Sequence, residues 1–252
     1  MADKKDSTMT DGSLPTLEKQ RLYWNSWDLE YLATVDAPKA GQMDAAIELL
    51  RSLNLRQPRI LEVGCGIGWL CQRLLEFGQV TGVDLADEAV AEARRRFPGA
   101  TFVAADFCAA ASPGTRFDVV VTLGTLAHVW DQARFMENIA ASLKPGGYLI
   151  MFTQNRLVFS RRSDVAPLGD GQIRHWVTMR ELRALAAPHF NIIRAFTIQP
   201  SGRLGFLRIV NSAKLNAVLS LVVPRTTLQS LKERAGLGQT LVMLAQQPQP
   251  GV

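Results

Sequence analysis

Residues 60–68 read Ile-Leu-Glu-Val-Gly-Cys-Gly-Ile-Gly, and this stretch decides the fold. The apolar run that ends at Glu62 and Val63 predicts a short buried strand, and three glycines at alternate positions then predict a tight turn into a helix. Glycine tolerates positive φ and leaves room for a ligand against the main chain. A helix N-terminus beside such a turn presents free N–H groups and the positive end of the helix dipole. The stretch therefore predicts a nucleotide-cofactor site at the end of the first strand.

The spacing of the glycines separates two classes of cofactor site. Dinucleotide-binding folds carry a glycine at the sixth position of their motif, where it lets the helix pack closely on the strand. Counting from Gly64, the sixth position is Trp69. The sequence therefore disfavours a nicotinamide-dependent oxidoreductase, which stays open as an alternative that a comparison of cofactor affinities would decide.

Acidic residues close the next two predicted strands. Val80 to Asp84 predicts a second strand that ends in a carboxylate twenty residues after Gly64. Such a carboxylate can accept hydrogen bonds from both ribose hydroxyls of a nucleoside, each worth roughly 1.5–3 kcal/mol. Phe102 to Phe107 predicts a third strand ending in Asp106. Because the carboxyl ends of parallel strands meet at one sheet edge, we expect both acids at the ligand site; capping of the following helices is the alternative.

In this order and spacing, the motifs resemble those of the class I methyltransferases that use S-adenosylmethionine. The resemblance covers residues 55–155 and includes a fourth strand at 117–123 and a glycine turn at 143–147. It implies an α/β fold, a doubly wound seven-stranded and mostly parallel sheet with an antiparallel edge strand and a helical lid. It also implies S-adenosyl-L-methionine as the cofactor, with Asp106 accepting from its adenine amino group. The cofactor-binding residues that the resemblance implies are Trp24, Glu62, Gly64, Cys65, Gly66, Gly68, Asp84, Leu85, Ala105, Asp106, Phe107 and Leu123.

The same comparison divides the chain into three parts. Residues 1–14 lack an apolar core and are predicted to be a disordered start, and residues 15–54 a helical cap. The aromatic stretch 23–27 resembles the segment that closes over the cofactor in relatives, although a buried helix face is the alternative. Residues 55–252 are predicted to form the methyltransferase domain, with acceptor-lid insertions at about 154–177 and 199–238.

Histidines supply the candidates for acceptor chemistry. His128 follows the fourth strand, where the family often carries a histidine, and its ordinary pKa near 6.5 would leave it mostly neutral at pH 7 as a candidate catalytic base. His128 is also predicted to contact the acceptor, together with His175 and Trp176. Packing in the loop is the alternative for His128. For Trp176 the alternative is a hydrophobic staple at the helix that Thr178 and Glu181 are predicted to cap.

Charge is distributed unevenly along the chain. Residues 151–252 hold thirteen Lys and Arg against four Asp and Glu, a net of +9, so residues 1–150 carry −4 of the total of +5. A basic half can mark an anionic acceptor or membrane surface, although a solvated arginine-rich face is the simpler interpretation. We see no dense Lys/Arg cluster interleaved with aromatic residues, so nucleic acid is not expected as a partner.

Composition limits the remaining classes. No apolar run approaches the roughly 18 residues that a membrane span requires. Three cysteines are too few and too irregularly spaced for a disulfide framework or a zinc site, so we expect reduced thiols, no metal and a cytoplasmic location.

These observations predict an S-adenosylmethionine-dependent methyltransferase of a small-molecule or sugar- or lipid-linked acceptor, acting at oxygen by in-line transfer. N-methylation of an amine or natural-product acceptor, and a non-catalytic module that binds the cofactor, are the alternatives.

Overall fold

The computed structural model describes residues 14–31, 35–109, 116–202, 204–220 and 223–249, and at its centre is one seven-stranded sheet. The strands are β1 (Arg59–Val63), β2 (Gln79–Asp84), β3 (Thr101–Ala104), β4 (Phe117–Leu123), β5 (Leu143–Gln154), β6 (Asn191–Pro200) and β7 (Gly238–Gln246). Their order across the sheet is β3-β2-β1-β4-β5-β7-β6. The predicted fold class is confirmed.

The first five strands are parallel, and the order changes direction between β1 and β4. Strands that diverge at such a point leave a crevice at their carboxyl ends, where ligands bind in open α/β sheets. β7 is antiparallel to both of its neighbours and lies between β5 and the edge strand β6. The reversed direction of the sheet therefore belongs to the strand next to the edge.

Helices cover both faces of the sheet. They are α1 (Leu17–Tyr31), α2 (Ala37–Ser52), α3 (Trp69–Leu74), α4 (Asp87–Arg96), α5 (Gln132–Ser142), α6 (Arg156–Phe159), α7 (Met179–Ala186), α8 (Phe206–Val210), α9 (Ala213–Leu219) and α10 (Arg225–Arg234). Buried residues of α2, α3 and α4 form one core with one face of the sheet, and those of α5 and α7 form a second core on the other face. Two packed layers around the sheet hold the strand ends in fixed positions.

Local hydrogen bonds explain where two of these elements begin or end. β3 ends at Ala104, so the prediction of a strand running to Asp106 is wrong. The reason is a turn in which Asp106 Oδ1 accepts from the Cys108 N–H at 2.9 Å, which leads the chain away from the sheet. The predicted capping box of α7 is confirmed, because Thr178 Oγ1 accepts from Glu181 N–H while the Glu181 carboxylate accepts from Thr178 N–H.

The N-terminal helix α1 is fastened to the start of α4. The residue before α4 is Ala86, whose side chain cannot cap the helix. Asn25 of α1 takes this role, because its Oδ1 accepts from the Glu88 N–H at 3.1 Å while its Nδ2 donates to Asp87 at 2.8 Å. The pairing fixes the position of α1 over the carboxyl ends of the strands.

The other predicted segments fall as follows. Residues 1–13 of the predicted disordered start lie outside the described part of the chain, and residues 15–54 contain α1 and α2. The two predicted insertions contain α6 and the helices α8 to α10. Among the described helices, none has the length and apolar character needed to cross a bilayer.

A close approach between β2 and α3 makes Gly82 a sensitive position. A Cβ at Gly82 would lie 2.8 Å from Cys65 Sγ and 2.9 Å from Cys71 Sγ. We predict that Gly82→Ala lowers the free energy of unfolding by about 1–3 kcal/mol, because a packed core resists an added methyl group. Urea unfolding followed by circular dichroism measures the change. Gly99→Ala is the control, since its Cβ would meet only a flexible Leu75 methyl at 3.3 Å; equal stabilities of the two variants would contradict the prediction.

Candidate functional site

The glycine turn after β1 is held by main-chain donors. Gly64 N–H and Cys65 N–H both donate to Val83 O, at 2.8 and 3.2 Å, and Gly66 N–H donates to Asp84 Oδ2 at 2.8 Å. Gly64 has φ of +77°, and a Cβ there would overlap Thr125 Oγ1. The turn therefore requires glycine at this position, for its backbone angle and for the space beside it.

A cavity of about 1090 Å³ opens at the carboxyl ends of the strands, beside this turn. Most of the residues predicted to bind the cofactor line it: Trp24, Glu62, Gly64, Cys65, Gly66, Asp84, Leu85, Ala105, Asp106, Phe107 and Leu123. His128 lines it as well. Four strand ends and the helix α1 thus bring together residues that are separated by up to about a hundred positions in the sequence.

Three predicted site residues lie behind the cavity wall. Gly68 precedes α3 with φ of +87°, and a Cβ there would lie 2.9 Å from Phe102, so this glycine serves packing. His175 N–H donates to Ala127 O at 2.7 Å, which fastens its segment to the loop that carries His128. The Trp176 ring packs on Phe159, a lining residue, with ring centroids 5.2 Å apart.

Of the two acids at the ends of β1 and β2, Glu62 is buried and Asp84 is half-buried. Glu62 is 3% exposed, its Oε2 has no hydrogen-bond partner in the described structure, and burial raises its pKa to about 7. Burial also raises the pKa of Asp84, although the N–H groups of Ala86 and Gly66 donate to its carboxylate and oppose the shift. A polar atom that is buried without a partner is costly, so Glu62 Oε2 marks a position where a ligand donor fits.

His128 is held as a neutral ring. Its Nδ1 lies 2.8 Å from Ile173 O, an acceptor only, so Nδ1 carries the proton and Nε2 is left as the basic nitrogen. Burial lowers the pKa of His128 to about 4, and the charge of Arg174 acts in the same direction. The Trp24 ring contacts the imidazole edge to face at 4.6 Å between centroids. The ring is therefore neutral at pH 7, with a wider margin than its ordinary pKa would give.

The structure adds lining residues that the sequence did not single out. Asp28 follows Trp24 by one helical turn on α1, so the spacing could have indicated it. Lys39 lies in the first turn of α2 and also lines the cavity. Arg162 donates to Gln239, which is 77 positions away, and forms an ion pair with Asp164. No local pattern connects Arg162 with Gln239, because only the fold brings these two residues together.

The charge of the lining is opposite to that of the distal half of the chain. Among the described residues that line the cavity, two are basic, Lys39 and Arg162, and seven are acidic: Asp28, Asp36, Glu62, Asp84, Asp106, Asp131 and Asp164. An acidic cavity favours a ligand with positive charge or with hydroxyl donors. The basic character of residues 151–252 does not extend to this lining.

Comparison with known proteins agrees with this geometry. Residues 60–147 match the family described as Methyltransferase domain. Over 106 residues the chain is 37% identical to the probable S-adenosylmethionine-dependent methyltransferase of Mycobacterium tuberculosis, a match that covers 42% of this chain and 39% of that protein. Over 113 residues it is 38% identical to the ubiquinone biosynthesis O-methyltransferase of Bradyrhizobium diazoefficiens, covering 42% of this chain and 44% of that protein. The chain thus spans less than half the length of these curated relatives.

A solved structure extends the likeness to nearly the whole fold. The N-methyltransferase NodS from Bradyrhizobium japonicum, in complex with S-adenosyl-L-homocysteine, superimposes with a TM-score of 0.61 over 92% of this chain and 97% of NodS. The identity is 15%, so this likeness concerns the fold alone.

The low pKa of His128 has a consequence for stability. In the unfolded chain the histidine has an ordinary pKa near 6.5, whereas in the folded chain its pKa is about 4. Between these pH values the unfolded state binds a proton and the folded state does not, so lowering the pH favours unfolding. We predict that, when the pH is lowered from 7 to 5, the free energy of unfolding of wild type falls by roughly 2 kcal/mol more than that of His128→Asn. Urea unfolding at both pH values measures the difference. Parallel pH profiles of the two proteins would contradict the prediction.

Proposed function

We propose that the chain transfers the methyl group of S-adenosylmethionine to a hydroxyl of a small-molecule or sugar- or lipid-linked acceptor, because residues 60–147 match the family described as Methyltransferase domain. The observation that carries the proposal is the cavity wall formed by the glycine turn, the partnerless Glu62 oxygen and Asp84. These groups present a Cβ-free main chain and two carboxyl groups to a ligand that carries amino and hydroxyl donors.

The residues of this wall fit the cofactor in kind. Glu62 would accept a hydrogen bond from an ammonium group. Asp84 already accepts from the N–H groups of Gly66 and Ala86, and its remaining lone pairs would accept from the ribose hydroxyls. Asp106 and Phe107 also line the cavity, and Asp106 would accept from the adenine amino group. When bound, the sulfonium of the cofactor supplies an activated methyl carbon, and positioning of the acceptor within about 3–3.5 Å of it can contribute ~7–11 kcal/mol.

We assign the acceptor to the part of the cavity that one aromatic ring and several uncharged polar side chains line, and this lining favours a neutral, hydroxyl-bearing molecule. Its lining includes the aromatic ring of Phe159 and a group of amide and hydroxyl side chains: Gln154, Ser163, Gln172, Ser201 and Gln239. The charge of Arg162 is already compensated by Asp164, at 2.6 Å. Amides and hydroxyls both donate and accept, which suits hydroxyl groups, and an aromatic ring adds an apolar surface.

His128 supports methylation at oxygen. Its neutral Nε2 can accept a hydrogen bond from an acceptor hydroxyl and so direct an oxygen lone pair toward the methyl group. With a pKa of about 4 the ring is a weak base. Its main contribution is therefore to orient the hydroxyl by a hydrogen bond rather than to remove its proton. The acidic lining of the cavity favours positively charged ligands, which leaves N-methylation of an amine acceptor as the second candidate.

We predict that Asp84→Asn weakens binding of S-adenosylhomocysteine by about tenfold or more, because hydrogen bonds to a charged acceptor are lost. Titration calorimetry measures the affinity. Asp44→Asn is the control, since Asp44 lies on α2 and forms an exposed ion pair with Arg73. Unchanged affinity in Asp84→Asn, with normal folding, would remove Asp84 from the ribose site.

Methyl transfer itself is tested with methyl-labelled S-adenosylmethionine and a fractionated small-molecule and lipid extract. We predict that wild type transfers the label, and that His128→Asn lowers turnover by about tenfold through the loss of one orienting hydrogen bond, while cofactor affinity stays within a few-fold. Chemical analysis of the labelled product separates an ether from a methylamine. Cofactor binding without any transfer to a broad set of extracts would favour the non-catalytic module.

A further inference from the structure

Asp28 is a buried acid that the proposed reaction has not used. It lies on α1, is 5% exposed, and lines the cavity. Within the described ranges, its carboxyl group has no hydrogen-bond donor and no ion-pair partner. Asn25, three positions earlier, fastens α1 to the start of α4 and so holds Asp28 in this wall. A carboxyl group that is buried without a partner needs a ligand or a proton to balance it.

The charged groups around Asp28 come from three other elements. Asp84 at the end of β2 raises its pKa, and Lys39 of α2 lowers it, while burial is the largest cause and brings the pKa to about 8. Glu62 at the end of β1 interacts with the same Lys39 and Asp84. Asp28, Glu62 and Asp84 line the cavity together with Lys39, so three carboxyl groups face one lysine there, and burial favours the protonated form of each acid.

A metal ion is not the ligand that this arrangement indicates. Across the residues that the structure describes, no group of three or more His, Cys, Asp or Glu is arranged to hold one. Lys39 stands among the acids, where it would repel a divalent cation and attract a carboxylate. One lysine beside several acids instead matches an organic ligand that carries a carboxylate together with positive charge.

We propose that Asp28 is a cofactor-site residue that recognises positive charge, and that cationic ligands displace protons from the cluster of Asp28, Glu62 and Asp84. This inference rests on the proposed function for the identity of the ligand. The balance is simple: a protonated carboxyl group and a cation give a carboxylate paired with the cation, and the proton passes to the solvent. Methyl transfer removes the sulfonium charge, so the cluster regains protons when the product forms.

Three nucleosides separate charge from shape. S-adenosylmethionine carries a sulfonium, an ammonium and a carboxylate, S-adenosylhomocysteine carries the ammonium and the carboxylate, and methylthioadenosine has the same nucleoside without the charged amino-acid portion. We expect Asp28→Asn to weaken S-adenosylmethionine by about tenfold or more, S-adenosylhomocysteine less, and methylthioadenosine by less than about threefold. Asn is nearly isosteric with the protonated acid, so the variant should fold; circular dichroism and a thermal melt check this.

Titration calorimetry at pH 7 in two buffers of different ionisation enthalpy counts the protons released. Wild type should release more protons on binding S-adenosylmethionine than Asp28→Asn does, and the comparison cancels the ionisation of the ligand itself. Glu30→Gln is the matched control, an exposed acid on the same helix, and should behave as wild type.

The outcomes distinguish the two proposals. Equal loss of affinity for all three nucleosides, or equal proton release by wild type and Asp28→Asn, would overturn the role of Asp28 while leaving the proposed function intact. Failure of wild type to bind any of the three would overturn the proposed function, and the inference with it.

Discussion

Three main-chain N–H groups that donate into the end of β2 organise the site. Gly64 and Cys65 donate to Val83 O, and Gly66 donates to the Asp84 carboxylate. These bonds set the turn after β1 against the next strand, so Glu62 and Asp84 face one cavity. The missing Cβ of Gly64 also lets Thr125 Oγ1 reach Val63 O at 3.1 Å, which ties the loop after β4, and hence His128, to the same turn. One backbone conformation thereby positions residues from three strands.

The cavity concentrates negative charge in a protein whose net charge is positive. The chain carries +5, yet the wall around the glycine turn holds Asp28, Glu62 and Asp84 against Lys39. Burial raises the pKa of each of these acids, so keeping all three ionised in this wall costs free energy. Groups with perturbed pKa values gather where a fold has been shaped for a ligand rather than for stability. A ligand that carries positive charge would offset this free energy by pairing with the ionised acids, so binding of the ligand would stabilise the wall.

The N-terminal helix belongs to the site even though it lies outside the sheet. Ala86 leaves α4 without a side-chain cap, and Asn25 supplies the missing acceptor from α1. This exchange places Trp24 against His128 and brings Asp28 into the cavity. Cap and cavity wall therefore depend on the same contact between α1 and the start of α4.

The sequence by itself determined the features that local patterns encode. Alternating strands and helices predict the doubly wound sheet, three spaced glycines predict the turn, and acids after apolar runs predict Glu62, Asp84 and Asp106 at one edge. The predicted end of β3 was two residues too late, because the chain turns at a hydrogen bond between the Asp106 side chain and the Cys108 N–H, which no periodicity reveals.

Tertiary structure decided everything that depends on which distant residues meet. It brought Asp28 and Lys39 beside Asp84, paired Arg162 with Gln239, and left Gly68, His175 and Trp176 behind the cavity wall. It also set the protonation of His128, because burial and the neighbouring Arg174 are properties of packing. Strand ends can be predicted from the sequence because each is encoded within a few residues, whereas burial and charge pairing arise only when the whole chain has folded.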